Sequence, residues 1–491
     1  DILIIGLGGG TDVQAALRHG ARSITGVEIN GTAAHIAAGP FAKFLGDPYH
    51  QPGVTIVVQD GRSYVAAAKR QWDVLQMSGT DTLTVQSSGA SVLAESYLYT
   101  VEAFLDYLHV LRPDGILSIL RFGVEPFRLG AIATRALLRL GVADPSDYVV
   151  VLGQGRMRLT LVKKRPWTEA ELGALDAIAA RSVEANAGII FPPYDLWEYK
   201  LGAPLEVLYA PRRPDNRPGL ARVLAEAAVD GSAAAQTAPT DDRPFYFAPE
   251  LYNYLKGGMV APAAGQQIAT YLGFISVLLV VSLVLLLGPL VLLRRKGLRG
   301  GRSWITLAYF FLLGACYMLI EIVLLQKTVL LVEHPAYSVS VVLASLLLFS
   351  ALGSWLSERL RVAPGRLALG AVLMIVVAGA VLVFAGERLF AALLPLPFGV
   401  RMAAVALLLA PFGTAMGTFF PSGMRRLGDD AGPLLPWAIG VNGLASVLGT
   451  TLSTPVAMLT GFRVLLVIAV AGYVLAGLAF RGLEGRKGEG S

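Results

Sequence analysis

The second half of the chain carries seven long apolar stretches, at roughly 268–293, 304–325, 336–357, 366–386, 400–420, 434–459 and 462–480. A helix that crosses a bilayer needs about twenty consecutive, mostly apolar residues, because the hydrocarbon is roughly 30 Å thick. Each stretch meets that length, so this half reads as an all-α bundle of seven spans in a lipid bilayer. Ahead of residue 265 or so no stretch qualifies. The first half is therefore a separate body, and the chain averages of 54% hydrophobic and 15% charged residues are a mixture of two compositions.

Charge follows the same division. A net charge of +6 in a soluble protein would raise the question of nucleic acid. Here thirteen of the 41 Lys and Arg fall in the loops after the first, third, fifth and seventh spans. The intervening loops hold only four, Lys327, Arg388, Arg401 and Arg463. Lys and Arg concentrate on the cytoplasmic side of a membrane. The basic residues are thus read as topogenic, and no nucleic-acid partner is expected. In a bacterial-type inner or plasma membrane the C-terminus is expected to be cytoplasmic and the first half, an odd number of spans away, extracytoplasmic. The single cysteine, Cys316, lies inside an apolar stretch, and His19, His35 and His109 are scattered singly. Neither a disulfide framework nor a metal site is expected. Two polar residues interrupt the spans: Glu321, which must face protein or water because a carboxylate in hydrocarbon is costly, and Asn442. The latter sits among Gly440, Gly443, Ala445 and Gly449, a small-residue run suited to close helix packing.

In the first half, short β-branched runs alternate with helical stretches: Ile2 to Ile5, Ser23 to Ile29, Val54 to Val58, Trp72 to Met77 and Ile116 to Leu120. Strands alternating with helices predict a parallel sheet covered on both faces, an α/β Rossmann-type domain. Tyr148 to Leu152 and Arg158 to Lys163 flank Gly153-Gln154-Gly155 and predict a hairpin closing the sheet edge. The expected organisation is an α/β domain over 1–163, an extension and junction over 164–265, a seven-span domain over 266–482 and a tail over 483–491. The extension opens on Thr168-Glu169-Ala170-Glu171, a capping-box start for a helix. It ends on Thr240-Asp241-Asp242-Arg243, where Asp241 or Asp242 could clasp Arg243. Because the chain begins on a strand pattern without Met, we expect it to be a piece of a longer protein.

Three consecutive strand ends carry chemistry. The first strand runs into Gly6-Leu7-Gly8-Gly9-Gly10-Thr11-Asp12 and a helix, a glycine turn that lets a ligand approach the backbone. The second ends at Glu28, twenty residues after Gly8, where a carboxylate would meet ribose hydroxyls. The third ends in Asp60-Gly61-Arg62, and Asp60 reads either as an acceptor for an adenine amino group or as the N-cap of the following helix. Ligands of open α/β sheets bind at the carboxyl ends of the strands. A nucleoside is the ligand these three features suggest.

The order of motifs over Asp1 to Phe122 resembles the spermidine-synthase-like aminopropyltransferases, a branch of the class I methyltransferase fold, in their membrane-fused form. The matching residues are the glycine loop, Val27-Glu28-Ile29-Asn30, Asp60-Gly61-Arg62, Trp72-Asp73-Val74, Thr80-Asp81, Glu95-Ser96-Tyr97-Leu98-Tyr99-Thr100 and Leu111-Arg112-Pro113-Asp114-Gly115-Ile116-Leu117. The resemblance implies that Gly6, Gly8, Gly9, Gly10, Glu28, Asp60 and Gly61 hold S-adenosylmethionine or its decarboxylated form, and that an amine attacks the carbon beside the sulfonium.

Two departures bear on activity. Gly9 stands where the family carries an Asp that grips the nucleoside's amino tail. Ser78-Gly79-Thr80-Asp81-Thr82 stands for Asp-x-x-Asp-Pro, whose first Asp is the family's general base. A serine hydroxyl is no base at neutral pH unaided, so Ser78, Asp81 and Tyr99 are the catalytic candidates, with Asp81 and Glu95 left to bind a cationic amine. Tyr99 reads equally as a packing residue. The resemblance implies a transferase acting on a small amine; the Ser78 departure implies instead an inactive synthase-like module, a pseudoenzyme serving as structural or assembly subunit of a membrane protein complex.

Overall fold

The computed structural model of the chain describes residues 1–80, 96–122, 126–155, 157–186, 204–214, 219–232, 234, 235, 238–246, 262–293, 303–333, 335–360, 362–427 and 434–483. It divides into two compact units, Asp1–Pro249 and Glu250–Ser491.

In the first unit β1 (Ile2–Ile5), α1 (Thr11–Arg18), β2 (Ile24–Glu28), α2 (Gly31–Ala38), β3 (Val54–Val58), α3 (Gly61–Ala67) and β4 (Trp72–Ser78) follow one another. Then come α4 (Val101–His109), β5 (Leu111–Phe122), α5 (Pro126–Arg139), β6 (Val149–Gln154), β7 (Met157–Lys163), α6 (Glu169–Asn186), β8 (Glu206–Tyr209) and α7 (Leu220–Ala228). The sheet order is β3-β2-β1-β4-β5-β7-β6-β8. β1 to β5 pair in parallel, with Ile5 beside both Val27 and Met77, and β7, β6 and β8 pair antiparallel. This is the α/β architecture of class I methyltransferases with one strand added. The reversal of strand order falls between β1 and β4, where a crevice opens at the carboxyl ends.

The β-branched runs form central strands because both faces are covered. Leu3, Leu75, Met77, Leu117 and Ile119 pack with α4 and α5 residues such as Phe104 and Ile132 on one face, while Ile4, Val13 and Ile24 pack with Tyr49 on the other. The hairpin does not close the sheet. β7 inserts beside β5, and β8 pairs with β6 to form the outer edge. The capping box forms: the Glu171 amide donates to Thr168 Oγ1 at 3.3 Å and the Thr168 amide donates back to Glu171 Oε2 at 2.9 Å.

The second unit is all-helical among the described residues: α8 (Pro262–Leu293), α9 (Ser303–Val332), α10 (Pro335–Arg359), α11 (Pro364–Leu393), α12 (Phe398–Leu427), α13 (Leu435–Thr460) and α14 (Phe462–Gly482). All seven are long and apolar enough to cross a membrane, which fits an integral membrane protein. Of the basic loop residues, those in 294–302, Arg361, Arg486 and Lys487 lie outside the described residues. On the other loops Arg401 pairs with Glu333 and Arg463 with Glu387. The bundle is held by close helix approach rather than by apolar burial, since lipid is as apolar as leucine. Asn442 Nδ2 donates to the Phe310 carbonyl at 2.9 Å, and Gly314 lies directly under the Asn442 backbone. Gly417 of α12 lies against the backbone of Ser350 on α10 so closely that a Cβ has no room. Gly417→Ala is therefore expected to force the two helices apart and to cost about 1–3 kcal/mol. A lowered unfolding temperature of the detergent-solubilised protein would register it, and an unchanged one would contradict the packing argument.

Candidate functional site

The glycine loop owes its shape to two positions. Gly6 has φ +81°, and a Cβ there would meet Thr80 Cγ2 at 2.8 Å; Gly10 has φ +83°, and its Cβ would meet Pro48 Cγ at 2.6 Å. L-residues rarely adopt such a φ. The loop between them is fixed from two sides. Glu28 Oε2 accepts from the Leu7 and Gly8 amides at 3.0 and 3.3 Å, and Oε1 from the Asn30 amide at 2.9 Å. On the other side the Tyr49 hydroxyl donates to the Gly8 carbonyl at 2.7 Å. Burial, and after it the charge of Glu28, pushes the Tyr49 phenol up to about 12, so it remains a neutral donor.

A carboxylate offers about four acceptor positions. Glu28, which lines the crevice, gives three to the backbone, which leaves one on Oε1. Asp60 is the N-cap of α3, the helix after the third strand, its Oδ2 accepting from the Ser63 amide at 2.8 Å, and it also lines the crevice.

The crevice is a cavity of about 690 Å³ over the carboxyl ends of β1 to β4, bounded by the loop, Glu28, Asp60, Ser78, Thr80 and Asp12. Asp12 comes from the first turn of α1. Burial holds its carboxyl above the usual range, and the Ser78 hydroxyl, close enough to act as a donor, draws it part of the way back. Ser78 accepts from Gln76 Nε2 at 2.7 Å, which leaves its own proton to point elsewhere. Behind this wall Tyr99 is fully buried. Its hydroxyl and Thr80 Oγ1 are 2.7 Å apart, and its ring packs against Tyr246 at 4.8 Å and beneath the Arg121 guanidinium at 4.7 Å.

Residues 238–246 reach this wall through Tyr246, which packs on Tyr99. Arg62, buried, pairs with both Asp106 and Asp241, the latter at 3.2 Å. Asp241 Oδ1 accepts from Thr100 Oγ1 at 2.6 Å, and the Asp241 amide donates to Glu102 Oε2 at 2.8 Å. The Ser96 and Val101 amides donate to the carbonyls of Pro244 and Pro239 at 2.7 and 3.0 Å. Asp241 of the Asp-Asp-Arg motif is thus held by Arg62, on the helix after the third strand, and Thr240 and Arg243 pair through their backbones.

Of the residues singled out from sequence, the cavity gathers Gly6, Gly8, Gly9, Glu28, Asp60, Gly61 and Ser78. Gly10 shapes the loop from outside the lining, and Tyr99 reaches the cavity only through Thr80. Asp81 and Glu95 lie outside the described residues. Sequence reasoning missed Tyr49 and Asp12. Asp12 carried a signal, an acid at the start of the loop's helix; Tyr49, in the short turn Pro48–His50, carried none. Among the described residues no group of three or more His, Cys, Asp or Glu side chains could hold a metal.

Fold and cavity define the class: an α/β unit of the class I methyltransferase type, followed by apolar helices. No family model and no curated protein matches the chain. Among solved structures it is similar to a spermidine synthase from Thermotoga maritima, at 22% identity and TM-score 0.27 over 35% of this chain and 55% of that one. It is also similar to a spermidine synthase in complex with the transition state analogue AdoDATO, at 21% and 0.26 over 35% and 55%. Human methyltransferase-like protein 13 in complex with SAH matches at 16% and 0.28, over 40% of this chain and 85% of that one. The chain spans about half the length of the spermidine synthases it matches.

Proposed function

We propose that the α/β unit binds an S-adenosyl-type nucleoside, S-adenosylmethionine or its decarboxylated form, and that the chain is a membrane-integral, spermidine-synthase-like transferase passing an aminopropyl or other alkyl group to a small amine. The observation that carries the reading is the meeting of Glu28, Asp60 and the glycine loop around one cavity of about 690 Å³. That volume suits a ligand of nucleoside size. The remaining Oε1 acceptor of Glu28 suits a ribose hydroxyl, Asp60 suits an adenine amino group, and the Gly6 to Gly9 backbone admits close approach.

When bound, the nucleoside supplies an alkyl carbon activated by a neighbouring sulfonium. An attacking amine must be uncharged and must shed a proton to a base. Ser78 does not serve at neutral pH. That role falls to a carboxylate at the β4 end of the cavity, for which Asp81 is the sequence candidate, with Tyr99 bracing the wall through Thr80. No metal and no nucleic acid enter the proposal. The boundaries at 163 and 265 are part of it; the cytoplasmic C-terminus that the loop charges support belongs to the second reading, because seven spans then leave the α/β unit outside.

Ser78 favours a second reading, an inactive synthase-like module acting as structural or assembly subunit of a membrane complex. An extracytoplasmic α/β unit would suit this reading, since S-adenosyl nucleosides are cytoplasmic. Calorimetric titration of the detergent-solubilised protein with S-adenosylmethionine, its decarboxylated form and methylthioadenosine tests the choice. Saturable binding is expected; no binding of any of the three would sink the transferase and leave the subunit.

A further inference from the structure

Three carboxylates line the cavity, and they are not equivalent. Glu28 is committed to three backbone amides and Asp60 caps α3. Asp12 has the Ser78 hydroxyl beside it, and among the described residues no Lys, Arg or His acts on its carboxyl. A half-buried carboxylate facing a cavity is costly unless something cationic meets it.

The sheet order says where along a ligand that cation must lie. Asp60 stands at the end of β3, Glu28 at the end of β2, the loop at the end of β1 and Ser78 at the end of β4, in the spatial order β3-β2-β1-β4. Neighbouring strands are about 4.8 Å apart, so the outer two lie roughly 14 Å from each other. That is about the span of an adenosine carrying a short chain. With the base toward Asp60 and the ribose at Glu28, the chain points to Ser78 and Asp12. Gln76 donates to Ser78, so the Ser78 proton is free to steady the Asp12 carboxylate while its second oxygen faces the cavity.

We infer that Asp12, steadied by Ser78, is the carboxylate that receives a primary ammonium group at the β4 end of the cavity. The inference rests on the nucleoside reading and adds the chemical class its far end selects. The ammonium can be the nucleoside's own tail or belong to a separate amine, and both are tested by calorimetry on the solubilised full chain. Methylthioadenosine, which has no ammonium, serves as control for an intact pocket.

Wild-type protein is expected to prefer decarboxylated S-adenosylmethionine over methylthioadenosine. Asp12→Asn should reduce that preference by about tenfold or more, as expected for loss of a charged hydrogen bond, while leaving methylthioadenosine affinity within about twofold. If the ammonium is the separate amine's, the loss appears instead when putrescine is titrated into protein saturated with methylthioadenosine. Unchanged values in both titrations, with methylthioadenosine still binding, would overturn the assignment of Asp12 alone. Failure of wild-type protein to bind S-adenosylmethionine, its decarboxylated form and methylthioadenosine alike would overturn the nucleoside reading and this inference together.

Discussion

Glu28→Gln is expected to weaken binding of an S-adenosyl nucleoside by about 10- to 100-fold, although the two side chains have the same shape. The carboxylate accepts from Leu7 and Gly8 with one oxygen and from Asn30 with the other. An amide has only one oxygen. Whichever way the glutamine turns, its NH2 group confronts a backbone N–H, either that of Asn30 or those of Leu7 and Gly8. One face of the clamp then loses its bonds and meets a donor. Hydrogen bonds to a charged group contribute about 1.5–3 kcal/mol, and about 1.4 kcal/mol is a factor of ten. The loss falls on the glycine loop and on the remaining acceptor for ribose together. Titration of the variant with S-adenosylmethionine measures it, and an affinity equal to that of the wild type would show that Glu28 neither clamps nor binds.

The second large effect concerns stability. Arg62→Met should destabilise the α/β unit by about 3–5 kcal/mol at pH 8, the range for removing one partner of a buried ion pair, because Asp241 is left in the interior facing Glu102 and Asp106. The size should depend on pH, and the direction follows from Asp241. Burial raises its carboxyl from an ordinary 3.8 to about 6, against the pull of Arg62 and with Glu102 adding to the rise. The folded protein thus binds this proton more tightly than the unfolded chain. Its contribution to stability is complete below about 3.8 and declines as pH rises through about 6. Without Arg62 the carboxyl rises further and the decline extends to higher pH. The penalty should therefore be smaller near pH 5, where Asp241 takes up its proton and only the pairing with Asp106 is lost, than at pH 8. Denaturant unfolding of both proteins at the two pH values decides it; a penalty independent of pH would mean that Asp241 is not the group left exposed to the loss.

The parallel strands and the seven apolar helices were legible because each is written locally, in runs of β-branched residues between glycine turns and in twenty-residue apolar stretches. β8 was not. Glu206–Tyr209 is four residues long and owes its existence to pairing with Val151 to Gly153, more than fifty residues earlier. The loop, Glu28 and Asp60 could be placed at one edge because a parallel sheet delivers successive strand ends to the same side. What each side chain does there was less visible. The commitment of Glu28 to three amides depends on how the loop turns, and the brace from Tyr49 crosses 41 positions. The partner of Asp241 was hidden for the same reason: Arg62 is 179 residues away, and proximity in sequence was the only guide.

The strap over residues 238–246 also has a mechanical meaning. The chain leaves the first unit at Pro249, just beyond the segment tied to Ser96, Thr100, Val101 and Arg62. Those bonds hold the segment in place, and Tyr246, stacked on Tyr99, links it one step further, to Thr80 in the cavity wall. Within the first unit, the segment that precedes the exit of the chain and one side of the cavity wall are thus joined as one piece.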